Sequence, residues 1–111
     1  MKELKTYLEA NKQRFLDELL DILRIPSISA DPKYSGDVRR MAEATAKHLK
    51  AVGVDNVENC NTAGHPIVYG EKMVNPKAPT VLVYGHYDVQ PADPLDLWDN
   101  PPFEPVIKKT K

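Results

Sequence analysis

The sequence has few of the features that mark several large classes of protein. Its 111 residues contain a single cysteine, Cys60, so an internal disulfide is excluded and nothing indicates an oxidising compartment. No run approaches the roughly 18 apolar residues that are needed to cross a bilayer. The charged start of the chain also lacks the apolar stretch of a signal peptide. These absences predict a cytoplasmic protein with no membrane partner.

An excess of charge of either sign is also missing. Lys and Arg together number 15 and Asp and Glu 16, which gives a formal net charge of -1. Basic residues do not cluster with aromatic ones, and a nearly neutral chain exerts little long-range attraction on a polyanion. The composition therefore predicts no nucleic-acid partner.

The apolar residues that are present follow a helical pattern in the first half of the chain. Their share of 41% suits one small domain with one core. Their spacing predicts amphipathic helices over roughly Met1–Leu23 and Gly36–Val52. The first helix is expected to end at Ile25-Pro26, because the residue before a proline is disfavoured in the α conformation. Gly53 suits a left-handed cap after the second helix.

The second half of the chain predicts strands. A short strand is expected at Val54–Cys60, apolar runs predict strands at Pro66–Gly70 and Thr80–Gly85, and a weaker strand is expected at Glu104–Thr110. The run at Thr80–Gly85 is the strongest, since its continuous apolar residues are typical of a strand buried on both faces. The expected fold class is α/β, with two helices packed on a small, partly parallel sheet. So few strands leave apolar surface that a missing portion would cover.

Residues suited to catalysis concentrate at one place. His86-Tyr87-Asp88 follows the Thr80–Gly85 run directly, and ligands of open α/β sheets bind beyond the carboxyl ends of strands. If the backbone is extended, His86 and Asp88 point to the same side. Imidazole is a common metal ligand, and a nearby carboxylate can orient the ring and raise its basicity. The triplet alone also occurs by chance in many proteins.

A longer string around this triplet is more specific. The stretch reads YGHYDVQPADPLDLWDNPPFEP and includes Trp98 and Pro101-Pro102-Phe103. It resembles the M20 metallopeptidase family, and most closely its dipeptidase branch, in which Y-G-H-x-D-V-Q-P runs into a W-x-x-P-P-F-x-P loop. Ile25–Ser29 and the helix end at Val52-Gly53 also fit. The resemblance covers almost the whole chain. It implies that residues 1–111 are the N-terminal part of an M20, zinc-peptidase-like catalytic domain, without the rest of that domain and without the lid domain.

The resemblance also implies roles for individual residues. His86 would bind one ion of a two-zinc site, in which cobalt or manganese can replace zinc, and Asp88 would be the catalytic residue that orients the histidine. The family's bridging aspartate, its glutamate pair and its later ligands are absent from this sequence. A catalytic zinc usually takes three protein ligands. The isolated 111 residues are therefore predicted neither to bind zinc at a specific site nor to hydrolyse peptides.

The function that the resemblance implies for the full-length parent is cleavage of the amide bond of a dipeptide by a metal-activated water. One alternative is a deacylase of N-acyl amino acids, of the acetylornithine deacetylase or succinyl-diaminopimelate desuccinylase type. Tyr87 and the Val-Gln-Pro ending favour the dipeptidase. A third hypothesis, from another class, is a non-catalytic folded module. The parent's expected partners are its substrate and, as in family members that pair through the lid domain, a second copy.

Other conspicuous residues receive plainer interpretations. Trp98 and Phe103 either anchor the proline-rich loop on the core or wall the substrate cleft of the full enzyme. His48 is predicted to be a solvated helix residue and His65 a loop residue. Cys60 is predicted to be a small buried hydrophobic residue rather than a nucleophile.

Overall fold

The structure is a computed structural model and describes residues 1–109. The chain forms two compact units. One unit consists of Met1–Ile25 with the segment that begins at Ala92, and the other is Pro26–Pro91. The predicted site lies entirely in the second unit.

Helix α1 spans Lys2–Leu23, as its apolar periodicity predicts. It ends where the backbone N–H groups of Arg24 and Ile25 still bond to the last turn and Pro26 has no N–H to continue the pattern. All 22 of its residues are exposed or half-buried, including the apolar stripe around Leu8. Among residues 1–109, no helix combines the length and the apolar character that crossing a bilayer requires.

The proline-rich segment of the same unit is organised around Trp98. Its indole N–H donates to the carbonyl of Ala92 at 2.8 Å, after a short 3-10 turn at Leu95–Leu97. Trp98 remains 52% exposed and Phe103 is half-buried. The choice between a loop anchor and a cleft wall therefore stays a prediction.

Helix α2 spans Ser35–Ala51 and supplies most of the core. Its buried residues recur at the spacing of one helix face, and they are Val38, Met41, Ala42 and Ala46. Together with Ile28 they form the buried apolar core of the described chain. The predicted amphipathic helix is confirmed, whereas Val52, its predicted last residue, lies just after the helix and is 74% exposed.

Helix α2 ends in a Schellman motif. Gly53 has a φ of 85°, a left-handed conformation that costs glycine little. Its N–H donates to the Lys50 carbonyl and the N–H of Val54 donates to the Leu49 carbonyl, each at 3.0 Å. The predicted left-handed cap is confirmed, and it turns the chain directly into the first strand.

Strands β1, Asp55–Cys60, and β2, Ile67–Glu71, pair antiparallel, and α2 packs on both. A register shift separates Asp55 from Glu58, and Asn56 within it has a φ of 49°, which asparagine tolerates. The α/β class is confirmed, and the boundaries of both strands agree with the prediction to within one residue.

The strand predicted at Thr80–Gly85 is not formed in the described chain. Val81, Leu82 and Tyr84 are 82%, 90% and 88% exposed. A strand buried on both faces needs paired neighbours and covering helices, and the described residues bring none to this segment. The parallel component of the expected sheet is thus one isolated bridge, between Ile28 and Val89.

The weaker strand predicted at Glu104–Thr110 is also not formed in its described part, residues 104–109. Thr110 lies outside the described residues. The segment instead carries an ion pair between Lys108 and Asp99 at 2.8 Å on the protein surface.

Candidate functional site

The candidate site forms where two segments about 60 residues apart lie side by side. The N–H of Val89 donates to the carbonyl of Ser27 at 3.0 Å, beside the bridge between Ile28 and Val89. Because side chains alternate along an extended segment, Ile28 is buried at 4% exposure while its two serine neighbours reach the opposite segment. In Ser27-Ile28-Ser29 the isoleucine side chain therefore packs in the core, and the two serine side chains contact the site.

Tyr87 is held at both its backbone and its ring. Ser27 is fully buried, and its hydroxyl donates to the Tyr87 carbonyl at 2.9 Å. The Tyr87 phenol donates to the carbonyl of Pro66. Burial raises the pKa of this phenol and the nearby Asp88 carboxylate raises it further, so the hydroxyl stays protonated as a donor. These contacts fix the backbone between the two predicted site residues.

His86 and Asp88 contact each other, as the sequence predicts for an extended His-x-Asp. The Nδ1 atom of His86 lies 3.1 Å from both the backbone oxygen and Oδ1 of Asp88. Since both partners are acceptors, these hydrogen bonds require the proton of a neutral ring to be on Nδ1. The lone pair on Nε2 is then available to a ligand, and the His86 side chain is 75% exposed.

The carboxylate of Asp88 has a donor at each oxygen. Oδ2 accepts from the Ser29 hydroxyl at 2.5 Å, and Oδ1 faces the His86 ring. The hydrogen bond from Ser29 lowers the pKa of this carboxyl most and the one from His86 lowers it further, although partial burial opposes both. Asp88 is therefore an ionised acceptor near neutral pH.

Sequence reasoning alone did not assign Ser27, Ser29 or His65 to the site. His65 lies in the predicted loop, yet its Nε2 is 2.9 Å from the carbonyl oxygen of Ser29. The alternation of serine and isoleucine in Ser27–Ser29 could have indicated an extended segment with one polar side. No local pattern, however, indicates that this segment pairs with residues 86–89. Cys60 is half-buried on β1.

The donor groups at this site fit one ligand position of a metal centre. An exposed imidazole nitrogen whose ring is oriented by a carboxylate is the arrangement that metal-binding histidines commonly have. Within residues 1–109, no three His, Cys, Asp or Glu side chains lie close enough together to hold a metal ion. A catalytic zinc centre would need further ligands in addition to His86.

Comparison with known proteins relates almost the whole chain to metallodipeptidases. No family model matches the chain. The Cys-Gly metallodipeptidase of Candida albicans is 35% identical in an alignment of 116 positions, and the match covers 94% of this chain and 24% of that protein. The β-Ala-His dipeptidase of Rattus norvegicus is 30% identical in an alignment of 115 positions, and the match covers 93% of this chain and 23% of that protein.

The fold is similar as well. The solved structure of the dipeptidase Dug1p from Saccharomyces cerevisiae matches with a TM-score of 0.81 at 30% identity, over 91% of this chain and 23% of that one. The chain thus spans about a quarter of the length of the relatives it matches. The resemblance inferred from the motif is confirmed in both sequence and fold.

Proposed function

We propose that this chain belongs to the M20 metallopeptidases, in their dipeptidase branch, and that residues 1–111 are the N-terminal part of the catalytic domain of a dipeptide hydrolase. The names of the relatives, a Cys-Gly and a β-Ala-His dipeptidase, support dipeptides as the substrate class. The observation that carries the proposal is the pairing of His86 with Asp88 at 3.1 Å, which leaves Nε2 of the exposed ring available.

In this proposal His86 holds one metal ion through Nε2, and Asp88 keeps the ring in the required tautomer and orientation. The proposed cofactor is a pair of zinc ions, which lower the pKa of a bound water so that it can attack an amide carbonyl. The contribution of this chain is positioning: Tyr87 is held at its backbone and its ring, and Asp88 is held at both oxygens.

The remaining ligands and the general base are proposed to lie in the part of the relatives that this chain does not match. Since one imidazole cannot hold zinc tightly, the isolated 111 residues should show no specific zinc site and no peptidase activity. A zinc titration that follows the ring signals of His86 tests this. Sub-micromolar 1:1 binding that is lost in His86→Ala would contradict it.

The function itself is tested on the longer protein that contains this segment. It should hydrolyse Cys-Gly or β-Ala-His, lose that activity to a chelator and regain it with zinc, cobalt or manganese. His86→Ala should lower kcat/KM by at least about 100-fold, since even the residues behind metal ligands contribute 10- to 100-fold. His48→Ala, at the end of α2, is the matched control and should keep full activity.

The same assay separates the alternatives. Hydrolysis of N-acetylornithine or N-succinyl-diaminopimelate, but not of dipeptides, would identify the deacylase instead. A folded, metal-loaded longer protein that cleaves neither class would support the non-catalytic module. We also propose that the longer protein acts in the cytoplasm and pairs through its lid domain, which fractionation and sedimentation would test.

A further inference from the structure

We propose that Ser29 is a positioning residue of this site, which orients the His86 ring through the carboxylate of Asp88. The inference rests on the proposed function in one respect, since it takes His86 as a metal ligand. The contacts themselves form a continuous path, from the Ser29 hydroxyl to Asp88 Oδ2 at 2.5 Å and from Asp88 Oδ1 to His86 Nδ1 at 3.1 Å.

Hydrogen bonds rather than packing must set the orientation of these groups. The side chain of Asp88 is 41% exposed and that of His86 is 75% exposed, so neighbouring atoms leave both room to rotate. A carboxylate with one donor at each oxygen has a single preferred rotation, whereas one with a single donor can turn. Ser29 supplies the second donor, and without it Oδ1 would be held towards His86 only by the hydrogen bond from the ring itself.

Ser29 can hold the carboxylate because Ser29 is itself fixed. The preceding Ile28 is buried in the core and forms the bridge to Val89, and the buried Ser27 accepts the N–H of Val89 at its carbonyl. On the other side, the carbonyl of Ser29 contacts Nε2 of His65 at 2.9 Å. The backbone around Ser29 is therefore anchored to the segment that contains Asp88. The short serine side chain then places its hydroxyl against the Asp88 carboxylate.

The inference is tested by the tautomer of His86, read from the ¹⁵N shifts of the ring in the 111-residue chain. The chain has only three histidines to assign. The unmodified chain should show mainly the Nδ1–H form. Ser29→Ala should lower the ratio of the Nδ1–H form to the Nε2–H form by about fivefold, the worth of one ordinary hydrogen bond.

Two further variants separate positioning from a general effect on structure. Ser29→Thr keeps the hydroxyl and should restore the ratio, and Ser35→Ala, at the exposed start of α2, should leave it unchanged. If Ser29→Ala does not fold, the unmodified chain and Ser29→Thr decide, since both must favour Nδ1–H. No tautomer preference in the unmodified chain, or the same ratio in folded Ser29→Ala, overturns the inference.

A second readout uses the zinc-loaded longer protein. Ser29→Ala should raise the zinc dissociation constant about tenfold in a chelator competition, and Ser29→Thr should restore it, because residues behind a metal ligand contribute 10- to 100-fold. An unchanged dissociation constant overturns the role at the metal. If the longer protein cleaves no amide yet the tautomer responds as expected, the proposed function fails while the orientation of His86 by Ser29 is supported.

Discussion

Two serines two positions apart act on different parts of the same partner segment. The hydroxyl of Ser27 holds the backbone at Tyr87, whereas that of Ser29 holds the side chain of Asp88. Ser27 is fully buried, so its contact contributes to the stability of the fold, while the half-exposed contact of Ser29 mainly sets an orientation. Substitutions at the two positions should therefore have different consequences.

Ser27→Ala should lower the free energy of unfolding by about 1–3 kcal/mol, because it leaves the Tyr87 carbonyl without its buried donor. Urea unfolding at neutral pH measures the change. Ser35→Ala removes a hydroxyl from the exposed start of α2 and should change the free energy by no more than about 0.5 kcal/mol. Equal effects of the two variants would show that the Ser27 contact is not stabilising.

Gly70→Ala should destabilise the protein by about 1–3 kcal/mol through overpacking. A methyl group at this position of β2 would lie 2.7 Å from Cγ1 of Val54 and 3.3 Å from Cγ2 of Val57. The matched control is Gly36→Ala in α2, where a methyl group would meet no atom within 4 Å. That control should be neutral or stabilising by up to about 1 kcal/mol. A Gly70→Ala variant as stable as the control would contradict the close packing.

The site is predictable from sequence only in part, and the reason lies in sequence distance. His86 and Asp88 are two residues apart, so the alternation of an extended chain is enough to predict that they face each other. Ser29, in contrast, lies 59 residues from its partner Asp88, and His65 lies 36 residues from its partner Ser29. Such contacts depend on how whole segments pair, which no local pattern encodes.

At the scale of single elements, the end of α2 depends on one backbone conformation. Gly53→Ala should lower the free energy of unfolding by about 1 kcal/mol, because a side chain is disfavoured at a φ of 85°. A Cβ at this position would meet nothing within 4 Å, so the expected cost is conformational and not steric contact with other residues. Urea unfolding beside Gly36→Ala tests this, and a Gly53→Ala variant of unchanged stability would exclude a conformational cost.

The hairpin of β1 and β2 carries a titratable cluster around Glu71. Hydrogen bonds from Asn56 and then Tyr69 lower the pKa of the Glu71 carboxyl below its ordinary value. A group whose pKa is lower in the folded state stabilises the fold above its unfolded pKa, about 4.3 for glutamate. That contribution is lost as the pH falls through the lower folded value.

Glu71→Gln should therefore be less stable than the unmodified chain at neutral pH, and the difference should shrink progressively below about pH 4. Urea midpoints of both proteins between neutral pH and about pH 3 measure it, since the subtraction removes the other titrating groups. A difference that stays constant across this range would mean that Glu71 does not titrate differently in the folded and unfolded states.

The four regular elements were predictable because their signals are local. The helices follow from apolar periodicity together with Pro26 and Gly53 at their ends, and β2 follows from a short apolar run. Thr80–Gly85 has the clearest apolar run, yet it forms no strand in the part of the chain that the structure describes. A strand exists only when another strand bonds to it, so composition can indicate the tendency but not supply the partner.

At the scale of the whole molecule, one run of consecutive apolar residues is exposed to solvent. Val81, Leu82, Val83 and Tyr84 are consecutive and each is at least 82% exposed. Contiguous apolar surface of this kind on a protein usually contacts another surface. Because the chain matches about a quarter of its relatives' length, the proposed longer protein has ample chain to cover this segment. Covering it would also place Gly85 and His86 at the end of a paired strand.

Hydrogen exchange tests this directly. In the 111-residue chain the amides of residues 81–84 should exchange nearly as fast as in an unfolded peptide, whereas in the longer protein they should be protected at least about 100-fold. Leu82→Lys should be almost neutral in the short chain, where the side chain is solvated, and strongly destabilising in the longer protein, where an unpaired charge would be buried. Equal exchange in both proteins would mean that the segment stays unpaired, and the site would then be positioned by the Ser27–Ser29 segment and by the contact of Tyr87 with Pro66.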